Sequence, residues 1–331
     1  MSLYKDNFHQ TDISNASFLI TGGAGFIGSN IVEYLVYHGA GEVRILDNLC
    51  EGKLENIAKF VDHPNVHFLE LDITNETDCQ TACANIDYVS HQAALGSVPR
   101  SIETPLITNA ANVTGFLNMI TAAKDAGVKR FVYASSSSVY GDSPDMPKVE
   151  SKIGEPLSPY AATKFTNEVY ASTFERCYGL ETVGLRYFNI FGPRQKPDGP
   201  YAAVIPLFMD ALLKNQGPFI NGDGDQSRDF TFVSNAVQAN IRGMFTTTPG
   251  ASARAYNVAV GERATVNQLF EILKTLTGAT TEPVYRESRA GDVKHSLADI
   301  SLAKKYLNYQ PSTRFENGLA VTLDWFQQRY G

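Results

Sequence analysis

Tyr160 and Lys164 stand four residues apart in a stretch, 159–178, whose pattern predicts a helix, and that spacing puts phenol and ammonium on one helix face. A cation beside a phenol stabilises the phenolate and lowers its pKa towards the working pH, so the pair can act as a base on a hydroxyl. Such pairs also arise by chance in helices; this one gains weight from two other features. Ser135, Ser136, Ser137 and Ser138 follow an apolar run, 130–134, that reads as a strand. They are expected at the carboxyl edge of a sheet, where ligands lie in open α/β folds, although a serine run after a strand can equally be a plain loop. Thr21-Gly22-Gly23-Ala24-Gly25-Phe26-Ile27-Gly28 follows the first strand and opens a helix, and Asp47 closes the second strand 19 residues after Gly28. Gly22, Gly25 and Gly28, with Phe26 and Ile27, suit a tight turn that brings backbone against a pyrophosphate and sets its charge at a helix N-terminus. Asp47, with Asn48 beside it, suits the hydroxyls of an adenosine ribose, and its charge repels a 2′-phosphate, which favours NAD over NADP.

These groups need a scaffold. Apolar, β-branched runs at 18–21, 42–47, 66–71, 88–91, 130–134 and 182–188 alternate with helical patterns at 27–38, 105–126 and 159–178. The alternation predicts an α/β fold, a Rossmann-type doubly wound parallel sheet with helices on both faces. Beyond Asn189 the texture changes, with Gly/Pro-rich stretches at 192–199 and 216–224, as expected of a smaller lobe made of binding loops. Residues 229–257 again read as strand, helix and strand, which can return to the first sheet. The expected division is therefore a dinucleotide-binding unit of 1–188 plus about 229–262, and a discontinuous substrate lobe of 189–228 plus about 263–331.

Composition narrows the function classes. At 331 residues and 43% hydrophobic content the chain can bury a large core. A net charge of -7 and the lack of a dense Lys/Arg run argue against a nucleic-acid surface. Cys50, Cys79, Cys83 and Cys177 form no CxxC pair and have no companion His cluster, so neither a metal site nor a disulfide framework is expected. The first fifteen residues are polar and no run of 18 apolar residues occurs, so a cytoplasmic protein with no membrane partner is expected.

The glycine turn, the serine-rich strand end and the Tyr-x-x-x-Lys pair together resemble the extended short-chain dehydrogenase/reductase family. The resemblance runs along nearly the whole chain, through Leu185-Arg186-Tyr187-Phe188-Asn189, Phe191-Gly192-Pro193-Arg194, Asn221-Gly222-Asp223-Gly224, Ser227-Arg228-Asp229-Phe230 and Arg289-Ala290-Gly291-Asp292. The later motifs are similar to the UDP-sugar-binding elements of sugar-nucleotide epimerases. In the family, dehydratases carry Asp-Glu after the catalytic serine, and UDP-glucuronate decarboxylases place a Glu before Val-Tyr-Gly. Here the run is Ser136-Ser137-Ser138-Val139-Tyr140-Gly141. Without a carboxyl group there, elimination lacks its proton-transfer residue, and the resemblance implies 4-epimerisation by transient oxidation at C4. A dehydratase, decarboxylase or reductase on the same scaffold is the rival. A non-catalytic nucleotide-binding regulator is a further one, from which loss of Tyr160 or Lys164 is expected.

More narrowly, Leu95-Gly96-Ser97-Val98-Pro99-Arg100-Ser101, Tyr201-Ala202-Ala203-Val204-Ile205-Pro206 and His295-Ser296-Leu297-Ala298-Asp299 resemble the UDP-N-acetylglucosamine 4-epimerases of bacterial surface-polysaccharide pathways. The resemblance implies that Ser136 hydrogen-bonds the reacting oxygen with Ser138 close by, and that Lys164 also binds the nicotinamide ribose. It puts Asp72 and Ile73 near adenine, Gln92, Ala93 and Tyr187 along the dinucleotide, and Asn112 behind the lysine. Gly96, Ser97, Ser137, Asn189, Ala203, Val204, Asn221 and Asp292 are carried over as substrate contacts. Arg228 and Arg289 are expected to clamp the diphosphate through bidentate hydrogen bonds. Ser296 falls where epimerases restricted to non-acetylated sugars carry tyrosine, which leaves volume for a 2-acetamido group. UDP-GlcNAc with UDP-GalNAc is the expected pair, with UDP-Glc and UDP-Gal also possible substrates. UDP-hexuronic acids stay open, since Arg100 could meet their carboxylate. The family pairs subunits through helices that here begin near Pro105 and Pro159, which implies a homodimer.

Overall fold

The structure, a computed structural model, describes residues 3–197, 203–287 and 294–330. Six strands, β1 (Ser17–Thr21), β2 (Glu42–Leu46), β3 (Val66–Leu69), β4 (Tyr88–His91), β5 (Arg130–Ser136) and β6 (Thr182–Tyr187), are joined by a seventh, β7 (Arg254–Val258). They form one parallel sheet in the order β7-β6-β5-β4-β1-β2-β3. Short apolar runs such as Phe18-Leu19-Ile20 are wholly buried, as a parallel sheet covered on both faces requires. The strand order reverses at β1, which lies between β2 and β4, so the ligand crevice of such a fold opens at the carboxyl ends of β1 and β4.

The helices, in chain order, are α1 (Phe26–Tyr37), α2 (Glu76–Cys83), α3 (Val98–Glu103), α4 (Pro105–Asn109), α5 (Gly115–Asp125), α6 (Pro159–Tyr178), α7 (Val204–Leu213), α8 (Val233–Phe245), α9 (Val266–Thr277), α10 (Ser301–Leu307) and α11 (Phe315–Tyr330). One apolar cluster joins α1 and α8 to the sheet through Phe18, Ile31, Leu35, Val132, Val237 and Ile241. Another joins α2, α5 and α6 through Cys79, Phe116, Met119, Phe131 and Phe174. A third lies apart from the sheet, where Phe208, Phe270, Leu319 and Phe326 bring α7, α9 and α11 together around Phe191 and Phe230. Among the described residues no helix is long and apolar enough to cross a membrane.

Local chemistry explains the boundaries that position the site. The α6 helix starts where the Ser158 hydroxyl accepts from the Ala161 amide and Pro159 fills the first turn, and it stops at Gly179 in the left-handed region. Two expectations need correction. Residues 105–126 are not one regular helix, because a π turn at Ala110–Thr114 separates α4 from α5. That turn carries Asn112, whose side chain reaches back to Leu95, and π turns of this kind are frequent at functional sites. Of the strand, helix and strand expected at 229–257, only β7 enters the central sheet; Thr231–Phe232 pairs instead with Ile190–Phe191.

Candidate active site

Gly22 has a φ of +63°, and a Cβ there would lie 2.8 Å from the Ala93 backbone nitrogen, so glycine lets the ends of β1 and β4 approach. A Cβ on Gly28 would collide with the Gly22 carbonyl. Gly25 accordingly opens α1 with no side-chain cap, and the first turn of the helix holds no acidic residue. Unfilled first-turn N–H groups beside a glycine turn suit an anion, so this end of the crevice fits the pyrophosphate of a dinucleotide. Asp47 is buried and its carboxylate accepts from the Ala24 amide at 3.0 Å and the Leu49 amide at 2.8 Å, while burial raises its pKa. Its charge therefore shapes the glycine turn as well as standing ready for a ribose. Asn48 donates to Asp72 at 2.8 Å, and the Ile73 carbonyl accepts from Asn118 at 3.0 Å, which gathers the four adenosine-side candidates past the ends of β2 and β3.

At the end of β4 the Ala93 amide donates to the Thr21 hydroxyl, which shares a 2.9 Å hydrogen bond with His91 Nδ1. Burial pushes His91 down to about 3, so its ring is neutral. The Tyr187 hydroxyl donates to Gln92 Oε1 at 2.9 Å, Asn240 donates to the same hydroxyl at 2.7 Å, and Gln92 Nε2 donates to Asn240 Oδ1. Burial raises the Tyr187 phenol, which stays a donor. Gln92 and Tyr187 are thus fixed together, although the sequence motifs hold them 95 residues apart.

The Tyr-Lys pair meets the serine run. Lys164, 3% exposed, donates through Nζ to the Ala134 carbonyl at 2.9 Å, and its ammonium lies 6.0 Å from the centre of the Tyr160 ring. Burial pushes Lys164 down to about 8. Burial also raises Tyr160, opposed by its hydrogen bond with Ser136. Ser136 accepts from the Ser138 amide at 3.1 Å, and the Ser138 hydroxyl is buried with no hydrogen-bond partner among the described residues. Ser137 begins the short 3-10 turn that follows. Ser135 turns away and donates to Glu168, which is ion-paired with Arg186 at 2.8 Å. Asn112 accepts from the Leu95 amide at 2.8 Å and donates to the Thr163 hydroxyl at 3.2 Å, so it ties the segment before Gly96 to the residue beside Lys164.

The other candidates form a second hydrogen-bonded group. Arg228 donates to the carbonyls of Ser227 at 3.0 Å and Lys294 at 3.2 Å, the Ser296 amide donates to the Ser227 carbonyl at 3.0 Å, and the half-buried Ser296 side chain sits on this bridge. Asn189, with a φ of +39°, leads out of β6 and donates to the Asp229 carbonyl at 3.2 Å. Asp229 is fully buried, accepts from the amides of Val260, Gly261 and Ala298, and is pushed by burial up to about 6. It holds the 295–298 segment in place, a role that sequence reading missed and that only the acid's place beside Arg228 could have suggested. The Asn221 carbonyl accepts from Gln226, Ala203 caps α7 without a side-chain bond, and Val204 begins that helix. Ser97 accepts from the Arg100 amide and so caps α3, while Gly96 beside it is exposed. Arg100 is ion-paired with Glu51 at 2.6 Å. Arg289 and Asp292 lie outside the described residues.

Known proteins resemble this chain in sequence and fold. The model of the NAD dependent epimerase/dehydratase family matches residues 18–259. The solved UDP-N-acetylglucosamine 4-epimerase from Methanobrevibacter ruminantium M1, in complex with UDP-N-acetylmuramic acid, is 42% identical, with a TM-score of 0.90 over 95% of this chain and 99% of that one. A putative UDP-glucose 4-epimerase of Methanocaldococcus jannaschii is 36% identical over 93% of this chain and 98% of its own length. A UDP-glucuronate 4-epimerase of Thermodesulfobacterium geofontis is 35% identical over 94% and 96%.

Proposed function

The chain belongs to the NAD dependent epimerase/dehydratase family, and from that premise we propose that it interconverts UDP-GlcNAc and UDP-GalNAc, with UDP-Glc and UDP-Gal as poorer substrates. The observation that carries this preference is Ser296, a small half-buried side chain bridged through Ser227 to Arg228. If Arg228 holds the diphosphate, volume beside Ser296 falls near the sugar.

Bound NAD supplies reversible oxidation at C4; the chain supplies the proton transfer and the grip. Tyr160, as phenolate, takes the proton of the 4-hydroxyl and later returns one, and its bond with Ser136 places a donor on the same reacting oxygen. The unpartnered Ser138 hydroxyl offers a second donor. Lys164 keeps the phenolate accessible through its positive charge. Inversion requires the oxidised sugar to present its other face, so tight binding belongs on the nucleotide diphosphate and loose binding on the hexose. Arg228, with Arg289, suits that division.

Substituting Ser296→Tyr adds bulk where the acetamido group is placed. It is expected to lower kcat/KM for UDP-GlcNAc by roughly 10- to 100-fold and leave UDP-Glc within a few-fold. Proton NMR of product formation, without added coenzyme, reads both; an equal loss on both sugars contradicts the assignment. The same assay with UDP-glucuronate separates the uronate reading, in which a substrate carboxylate has to displace Glu51 from Arg100.

The homodimer belongs to the same proposal. Ile102, Leu106 and Ile107 on α3 and α4 are 63%, 84% and 61% exposed, and Val169 on α6 is 50% exposed. An apolar face of this kind is suited to a second copy. Leu106→Asp is expected to give a monomer by light scattering, and a wild-type protein that is already monomeric contradicts the pairing.

A further inference from the structure

The end of β5 is held asymmetrically. Its pairing with β4 stops at His91 opposite Tyr133, so Ala134, Ser135 and Ser136 extend with β6 as their only strand neighbour among the described residues, opposite Leu185, Arg186 and Tyr187. Ser136 nevertheless has to meet the Tyr160 phenol, which stands on α6. Small displacements between reacting groups are costly, about 100-fold in rate for 1 Å.

Helix α6 supplies the missing hold from its other turns. Glu168 follows Tyr160 by eight residues and Lys164 by four, which puts all three on one helix face. Lys164 donates to the Ala134 carbonyl at 2.9 Å, and the next residue, Ser135, donates through its hydroxyl to Glu168 Oε1 at 2.5 Å. Two successive residues of the strand end are thus gripped by two successive turns of the helix. Glu168 is itself immobilised by Arg186, the cross-strand neighbour of Ser135, whose Nε and Nη2 donate to its two oxygens at 2.9 and 2.8 Å. The two side chains are only 10% and 5% exposed. Arg186 donates further to the Glu150 carbonyl at 3.0 Å and lies 4.9 Å over the Tyr140 ring. A buried ion pair contributes little net stability, because desolvation offsets its attraction, but its directional bonds fix geometry.

We propose that Glu168 and Ser135 are positioning residues: through the Ser135–Glu168–Arg186 bridge they set the distance between Ser136 and Tyr160, touching neither sugar nor cofactor. This rests on the reading of Tyr160 and Ser136 as the proton-transfer pair. It also gives Ser135 a role distinct from the other serines of the run.

Glu168→Ala strands a buried guanidinium and can fail to fold, so the informative variant is Ser135→Ala, which leaves the ion pair intact. In the full-length protein carrying its own coenzyme, Ser135→Ala is expected to lower kcat roughly 10- to 100-fold. KM, coenzyme content and melting temperature are expected to stay near wild type, the lower limb of the kcat–pH profile to move to higher pH, and Ser135→Thr to recover most of the rate. Crystal structures of wild type and Ser135→Ala supply a readout independent of turnover, with a longer Ser136–Tyr160 oxygen separation expected in the variant. An unchanged kcat, or a loss matched by lost coenzyme or melting temperature, overturns the proposal. If the wild type acts on no UDP-sugar, the epimerase reading fails, and the crystallographic distance alone decides the positioning claim: unchanged, it overturns it.

Discussion

Tyr160→Phe is expected to lower kcat for 4-epimerisation by about 1,000-fold, the middle of the range for removing a positioned acid–base group. The variant deletes one oxygen and keeps the ring, so packing against α6 and its surroundings survives. We assign the main coenzyme grip to other elements, the glycine turn and the wall from Asp47 to Ile73, so nucleotide released on denaturation is expected to match wild type. Ser136 loses its phenol partner but keeps the Ser138 amide. Because only the phenolate can accept the sugar proton, wild-type kcat rises with pH through the Tyr160 pKa, and this limb should vanish in the variant. Rate profiles from about pH 6 to about pH 11, which bracket the ordinary phenol pKa of about 10, check both. A variant with intact coenzyme and more than about a tenth of wild-type kcat would remove Tyr160 from the chemistry.

Lys164→Met is expected to cost about 100-fold in kcat at neutral pH and to move the same limb to higher pH. The sign follows from charge. Burial raises the Tyr160 pKa; the positive charge of Lys164, 6.0 Å from the ring centre, favours the phenolate on electrostatic grounds, so without it the phenolate is rarer at any pH below the new pKa, tenfold rarer per pKa unit. Lys164 itself is pushed down to about 8, so its charge is largely present at neutral pH and declines above it. The deficit should therefore narrow only above about pH 10, the ordinary phenol pKa, as the unaided phenolate begins to form in the variant. Methionine keeps the unbranched stem, which limits the packing change. Retained NAD should also fall if the ammonium contacts the nicotinamide ribose. A flat loss with no shift in the profile would mean that Lys164 serves binding or packing alone.

Much of this is legible in the sequence, because the information is local. Helix α6 matches its expected limits, 159–178, since its cap, its first-turn proline and its terminal glycine are all adjacent in the chain. Strand β4 matches as well. The glycine turn is legible because steric need writes glycine at fixed offsets, and Tyr160 with Lys164 because helical geometry writes the spacing. What escaped is what topology assembles. The π turn at 110–114 is tied to Leu95, and nothing nearby in the sequence announces it. Thr21 with His91, Tyr187 with Gln92 and Asn240, and Ser135 with Glu168 and Arg186 form groups whose bonded residues are 18 to 95 positions apart, each unremarkable alone. Chemistry borne by a residue type was likewise ambiguous until partners were known. Ser97 is carried over as a substrate contact and is found capping α3, and Arg100, a cation suited to a uronate, already faces Glu51.

The central claim is that one carbon of a UDP-sugar is oxidised and then reduced within the same active site. A UDP-hexose deuterated at C4, incubated with the purified protein without added coenzyme, tests it most directly. The account predicts that NMR and mass spectrometry find the 4-epimer with its deuterium still on C4, because the atom removed is the atom returned. Loss of the label to solvent, or no epimer even after NAD is added, would contradict it.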